Sequence, residues 1–272
     1  MKYPYGKNVF LTGGSSGIGL ATAELLAKNG YTVYSASRTP STDIRTFPGG
    51  GSIQPVQLNV CDASTVDSAA ESINADIGIV IHCAGIGIAC AGEEYPQEAV
   101  TRLMQTNFDG VLLVNSRFLP RLRKRGGGLC VIIGSVAGVF PVPYQSHYSA
   151  SKAALNSYAS ALRMELKEYG VNVSLVMPGD TATGFTSART YDINKASPFH
   201  ASCLKAVKKM EKDEINGRKP DTVSRAILKI CGRKSPPLHK VIGFEYKLLV
   251  FMKRLLPCRT VEFILRKMYI GR

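Results

Sequence analysis

Residues 12–19 read Thr12-Gly13-Gly14-Ser15-Ser16-Gly17-Ile18-Gly19, directly after the apolar run Asn8–Leu11 and at the start of a helical pattern near Gly17. A Gly-rich turn at such a junction lets the backbone come close to a bound group. The free N–H groups at the helix start then meet an anion such as a pyrophosphate. A Gly-rich loop alone is weak evidence, but its place between strand and helix makes it strong. The spacing is T-G-x-x-x-G-x-G, not the G-x-G-x-x-G of other dinucleotide sites.

Outward from this turn, short β-branched and apolar runs alternate with helix-length segments as far as about residue 180. The strand candidates are Asn8–Leu11, Thr32–Ala36, Gln54–Leu58, Gly78–Cys83, Leu129–Gly134 and Val171–Met177. Their near-continuous apolar character fits strands buried on both faces of a parallel sheet. Helical patterns start near Gly17 and cover about 64–74, 96–123 and 148–169. The alternation predicts right-handed βαβ units: an α/β fold, doubly wound, with about seven parallel strands and helices on both faces. The cluster Pro48-Gly49-Gly50-Gly51-Ser52 reads as a surface turn. Past Pro178 the pattern loosens. Residues 181–200 read as a mobile loop, 202–215 and 220–231 as helices, and His239–Gly243 as one more strand. Phe244–Leu256 and Arg259–Ile270 read as basic, apolar helices.

The 272 residues are 45% hydrophobic and 20% charged, enough for a sizeable core and unlike a disordered chain. The whole length, 1–272, reads as a single domain, with 244–272 as its C-terminal helices. The seven cysteines are odd in number and contain no C-x-x-C, so neither a disulfide framework nor zinc is expected. A reducing cytoplasm is the expected setting. The first residues lack the apolar core of a signal peptide, and no run approaches the about 18–20 residues that span a bilayer.

The net charge of +14 is unevenly placed. Residues 1–202 hold 16 basic and 14 acidic residues, whereas 203–272 hold 18 and 6. Anionic lipid, anionic substrate or nucleic acid would each suit that basic quarter, and so would a plainly solvated surface. No nucleic-acid recognition motif accompanies it, so nucleic acid is not an expected partner.

The second chemical signal is Tyr148-x-x-x-Lys152, with Ser135 upstream at the end of a strand. The i, i+4 spacing puts the phenol and the ammonium on one helix face. A phenol titrates near pH 10 and is a poor acid or base at neutral pH. A nearby ammonium is expected to lower that value by stabilising the phenolate. A serine hydroxyl can orient a substrate carbonyl or alcohol.

Together these residues resemble the short-chain dehydrogenase/reductase family, in its shorter branch, over about residues 7–183. The resemblance implies a Rossmann-like fold, a nicotinamide cofactor and an oxidoreductase. It implies a catalytic set of Asn107, Ser135, Tyr148 and Lys152. Tyr148 would exchange a proton with the substrate oxygen. Lys152 would lower the phenol's pKa and hold the nicotinamide ribose. Ser135 would steady the substrate oxygen, and Asn107 would anchor a water linking Lys152 to solvent. Cofactor contacts fall on Gly13, Ser15, Ser16, Gly17, Ile18 and Gly19. They continue through Ser37, Arg38, Asn59, Val60, Ala84 and Gly85 to Tyr148, Lys152, Pro178, Gly179, Thr181 and Thr183. No metal is implied. A homodimer or homotetramer packed through the long helices is implied as well.

Two departures from the family pattern stand out. N-N-A-G reads His82-Cys83-Ala84-Gly85, where His82 and Cys83 are expected to fill the core. L-D-V reads Leu58-Asn59-Val60, where the Asn59 side-chain carbonyl can still meet an adenine amino group. Asp62 is expected to start the next helix.

An NAD site usually places an acid about 20 residues past the glycines. Here that strand ends Ser35-Ala36-Ser37-Arg38, without the acid and with a guanidinium suited to a 2′-phosphate. NADP(H) is therefore the expected cofactor, with NAD-linked alcohol oxidation as the alternative. Val136, Val139, Phe140, Pro141, Val142, Pro143 and Tyr144, with Ile86, Ile88 and the segment after Gly184, are candidates for an apolar pocket. The overall resemblance points to family members that act on steroids, retinoids, sphingoid ketones or acylated ketones. The terminal helices read as a lid or dimer surface, or alternatively as an in-plane membrane contact. A non-catalytic NADPH-binding sensor is the rival reading, and the intact Ser–Tyr–Lys set argues against it.

Overall fold

The computed structural model describes residues 3–191 and 194–271. Its strands are β1 (Asn8–Thr12), β2 (Thr32–Ser37), β3 (Arg45–Thr46), β4 (Ser52–Gln57), β5 (Ile79–His82), β6 (Ile88–Ala89), β7 (Gly128–Ile133), β8 (Val171–Met177), β9 (Thr190–Tyr191) and β10 (His239–Val241). The α-helices are α1 (Gly17–Lys28), α2 (Ala63–Ser72), α3 (Gln97–Met104), α4 (Gly110–Lys124), α5 (Ser146–Glu165), α6 (His200–Ile215), α7 (Pro220–Cys231), α8 (Phe244–Lys253) and α9 (Cys258–Tyr269).

The main sheet has eight strands in the order β10-β8-β7-β5-β1-β2-β4-β3. Seven are parallel, as expected. The eighth, β3, adds an antiparallel edge through Arg45↔Ile53 and Thr46↔Ser52. Two residues leave no readable period, so this edge escapes a sequence pattern. The 48–52 cluster is the turn that joins β3 to β4. A second, two-stranded sheet pairs β6 with β9 and was not anticipated either. Residues 181–200 are therefore not simply a mobile loop. Thr190 lies against Ile88, and the buried Arg189 pairs with Glu214. Residues 192–193 of that segment fall outside the described residues.

Local chemistry places several element ends. Asp62 caps α2 by accepting from the Ser64 N–H at 2.9 Å, as expected for a side-chain cap. Pro220 opens α7, where its missing N–H costs nothing. The expected helix over 96–123 is continuous in direction but holds a π-turn at Gln105–Asp109. Such turns recur at functional positions, and Asn107 sits within this one.

The core lies on both faces of the sheet. On one side α1 and α7 cover Val9, Leu11, Val33, Ile81 and Val131, with Leu26 and Ile227 buried against them. On the other, α2 and α4 cover Phe10 and Val80, and α5 continues the layer with Leu155 and Leu162. Phe10 and Phe118 stack with centroids 4.1 Å apart, both fully buried. β1 lies between β2 and β5, so the chain's direction of travel across the sheet reverses there. Open α/β sheets bind ligands at the carboxyl ends of the strands beside such a reversal. Phe118→Ala should cost about 3–5 kcal/mol in urea unfolding, through lost transfer energy and an unfilled cavity.

Candidate active site

The cleft opens at the reversal of the sheet and has a volume of about 1050 Å³. The turn after β1 forms its floor. Ala36 in β2 accepts from the N–H groups of Gly13 and Gly14 at 2.8 and 3.2 Å, which folds the turn back on the sheet. Gly13 has φ +72°, and a Cβ there would stand 2.6 Å from the Ala84 nitrogen. Only glycine meets both constraints. At the start of α1 the Ser16 side chain makes no cap bond, and the first turn holds no acid. Gly17, Ile18 and Gly19, at the helix start, line the cleft. An uncapped, acid-free helix start of this kind fits a pyrophosphate.

Ser37, Arg38, Asn59 and Val60 line the adjoining stretch of the cleft. The Arg38 side chain is exposed, and its backbone carbonyl accepts from Gln57 Nε2 at 2.6 Å. Asn59 Oδ1 already accepts from the Cys61 N–H at 3.2 Å. Its second lone pair is what remains for an adenine amino group. At the other end Ala84, Gly85, Ser135, Tyr148, Lys152, Pro178, Gly179, Thr181 and Thr183 all face the cleft, as do Gly13, Ser15 and Ser16.

Asn107 does not. It is fully buried behind the cleft. Its Oδ1 accepts from Ile86 N–H at 2.8 Å, and its Nδ2 donates to the Ile86 carbonyl at 3.0 Å and to Ser151 Oγ at 3.1 Å. A Cβ on Gly85 would lie 3.3 Å from Asn107 Oδ1 and 3.6 Å from Lys152 Nζ. The side chain therefore holds the segment after β5 in place beside the lysine.

Lys152 is buried and donates to the Ile133 carbonyl at 3.0 Å. Burial pulls its pKa down to about 8. Its ammonium lies 5.8 Å from the Tyr148 ring centre. The Tyr148 phenol moves opposite to the expected direction: burial pushes it up to about 12, outweighing the hydrogen bond with Ser135 that pulls it down. Phe185 packs on the Tyr148 ring at 5.7 Å between centroids. Arg189 fixes that segment through Glu214, whose carboxylate also accepts from Thr186 Oγ1 at 2.6 Å.

The apolar wall differs in part from its expected make-up. Ile86, Val136, Phe140, Val142 and Phe185 line the cleft, whereas Val139, Pro141, Pro143, Tyr144 and Ile88 do not. Ile88 is in the core beside Leu103. Tyr144 instead bonds Ser202 at 2.5 Å. The missing wall comes from α8, α9 and the turn between them: Tyr246, Leu249, Met252, Leu256, Val261, Ile264, Leu265 and Met268. Their helical spacing was visible as amphipathicity, but a period does not name the surface it covers. Tyr246 anchors α8 by donating to the Asp180 carboxylate and accepting from the Asp180 N–H at 3.1 Å.

His82 fills the core as expected, whereas Cys83 is only partly buried and also lines the cleft. His82 is buried, bonded to Asn115 Oδ1 at 2.9 Å, and burial lowers its pKa to about 4. Cys83 packs against the core at the cleft wall, and burial pushes its thiol up to about 12.

A dinucleotide-binding oxidoreductase is the class that this fold and cleft define. The profile of the family described as short chain dehydrogenase matches residues 7–202, and the chain belongs to that family. Over 267 residues it is 36% identical to the 3-ketodihydrosphingosine reductase of Bacteroides thetaiotaomicron, covering 96% of this chain and 97% of that one. A Burkholderia cenocepacia short chain dehydrogenase solved in complex with NADP has a TM-score of 0.76 at 22% identity, covering 97% and 99% of the two chains. A Burkholderia phymatum relative solved in complex with NAD also has 0.76 at 22% identity, covering 94% and 95%.

The His82 shift makes a pH prediction. The ring takes up a proton near pH 6.5 when unfolded but only near pH 4 when folded. The unfolded chain therefore binds that proton first, and stability falls as pH drops from 6.5 towards 4, by about 3 kcal/mol at the limit. His82→Asn should flatten this part of the curve, read from urea midpoints across the window.

Proposed function

We propose that this protein uses NADPH to reduce a ketone on a long-chain, apolar substrate of the sphingoid type. One observation carries the reading: a single cleft joins Ser135, Tyr148 and Lys152 to an apolar wall built by the two C-terminal helices. A small polar substrate has no use for that wall. The relative named as a 3-ketodihydrosphingosine reductase is matched over 96% of this chain and 97% of its own length, and so supports the substrate class.

The cofactor would supply the hydride. Arg38 and Ser37 face the cleft where an NAD site would place an acid. A guanidinium and a hydroxyl there suit the 2′-phosphate of NADPH. Ser135 holds the substrate oxygen, and Tyr148 delivers a proton to it. The protein's own groups leave the phenol protonated, with a pKa of about 12, which is the form that reduction requires. Lys152, held by the Ile133 carbonyl, presents its charge beside the phenol and to the ribose of the cofactor. We read the whole chain as one dinucleotide-binding domain that works in the cytoplasm.

Tyr148→Phe should lower reductive turnover about 10²–10⁴-fold while leaving NADPH binding, read by cofactor fluorescence, intact. Retained turnover in that variant would remove the proton-transfer role. Arg38→Ala should reduce the NADPH/NADH ratio of kcat/KM by about tenfold or more, the loss of a charge-assisted contact. An unchanged ratio would remove the NADPH preference.

A further inference from the structure

Helix α8 carries two apolar stripes, and only one serves the cleft. Tyr246, Leu249 and Met252, with Leu256 just past the helix, line the cleft. Phe244, Leu248 and Phe251 recur at i, i+4 and i+7 on another face and are 77%, 51% and 56% exposed, and Leu255, in the turn that follows, is 67% exposed. Phe263 on α9 is 60% exposed. Neither helix holds a buried residue. Exposed apolar side chains repeated along one face of a helix mark an interaction site.

Charge decides what that surface meets. Lys247, Arg254, Arg259, Arg266 and Lys267 on and between the two helices are exposed. They belong to the quarter of the chain with 18 basic and 6 acidic residues. A second copy would bring that same positive excess against itself. An anionic headgroup layer is complementary to it. Among the described residues no helix is long and apolar enough to cross a membrane. Contact in the interfacial plane is the remaining geometry for an amphipathic, basic helix pair.

The surface is also fixed to the catalytic body. Glu245 pairs with Arg218 at 2.7 Å, Tyr246 donates to Asp180, and Lys253 donates to the Val139 carbonyl. We propose that the outward face of α8 and α9 docks on an anionic lipid bilayer. This holds the cleft, which the same helices line, at the surface where an apolar substrate resides.

The test is flotation of the full-length protein with vesicles of phosphatidylcholine alone, or of phosphatidylcholine mixed with phosphatidylglycerol. Recovery with the anionic vesicles should exceed that with neutral ones about tenfold or more, and should fall with added salt. Phe251→Ser combined with Leu255→Ser should cut anionic recovery about tenfold, yet leave turnover of a short, water-soluble ketone unchanged. Arg254→Gln combined with Arg259→Gln, which leaves the apolar stripe intact, should also lower recovery. Equal recovery on both vesicle types, or no effect of either variant, would overturn the proposal. A dimer in light scattering that the Ser variant dissolves, without flotation of the parent protein, would give the face to a second copy and overturn it too. Flotation is read without turnover, so failure here is distinct from failure of the reductase reading.

Discussion

The two hydrogen bonds from Gly13 and Gly14 to the Ala36 carbonyl set the shape on which the cleft depends. They fold the turn after β1 against β2 and bring it within contact of the Ala84 backbone after β5. Three strand ends then meet at one point, the point where the sheet changes its direction of travel. The start of α1 lines the opening so formed and carries no side-chain cap. A side chain at Gly13 would force these three segments apart, and the binding floor would go with them.

From that floor, the other site groups are placed by the elements that follow. β7 delivers Ser135 beyond its end, and α5 presents Tyr148 and Lys152 one turn apart. The π-turn before α4 carries Asn107 beneath them, where its amide clamps Ile86 and Ser151. Burial then acts on the two titratable groups in opposite senses, raising the phenol and lowering the ammonium. Both shifts favour the neutral form, as desolvation does.

Much of this was legible in the residues. The Gly-rich turn, the long buried strands and the Tyr148–Lys152 spacing each follow from a local rule, and the structure has them where those rules put them. Asp62 as a cap and His82 as a neutral core group were readable for the same reason. The strands β3, β6 and β9 were not, because two residues carry no period. The direction of the Tyr148 shift was not, because it depends on how deeply Phe185 and its neighbours bury the ring. The place of Asn107 behind the cleft wall depends on the π-turn, which adds a residue to the helix without a sequence signature. The amphipathic pattern of α8 and α9 was clear, but whether it faced the core, the cleft or something outside took the packing to decide. It faces the cleft with one stripe and solvent with another.

The central claim is a reductase whose apolar wall grips a long chain. It is met most directly by NADPH consumption with a series of 3-keto amines of increasing alkyl length. Each methylene buried against α8 and α9 should raise kcat/KM about three- to fourfold, until the wall is filled. A kcat/KM independent of chain length, or no NADPH consumption with any member, would overturn it.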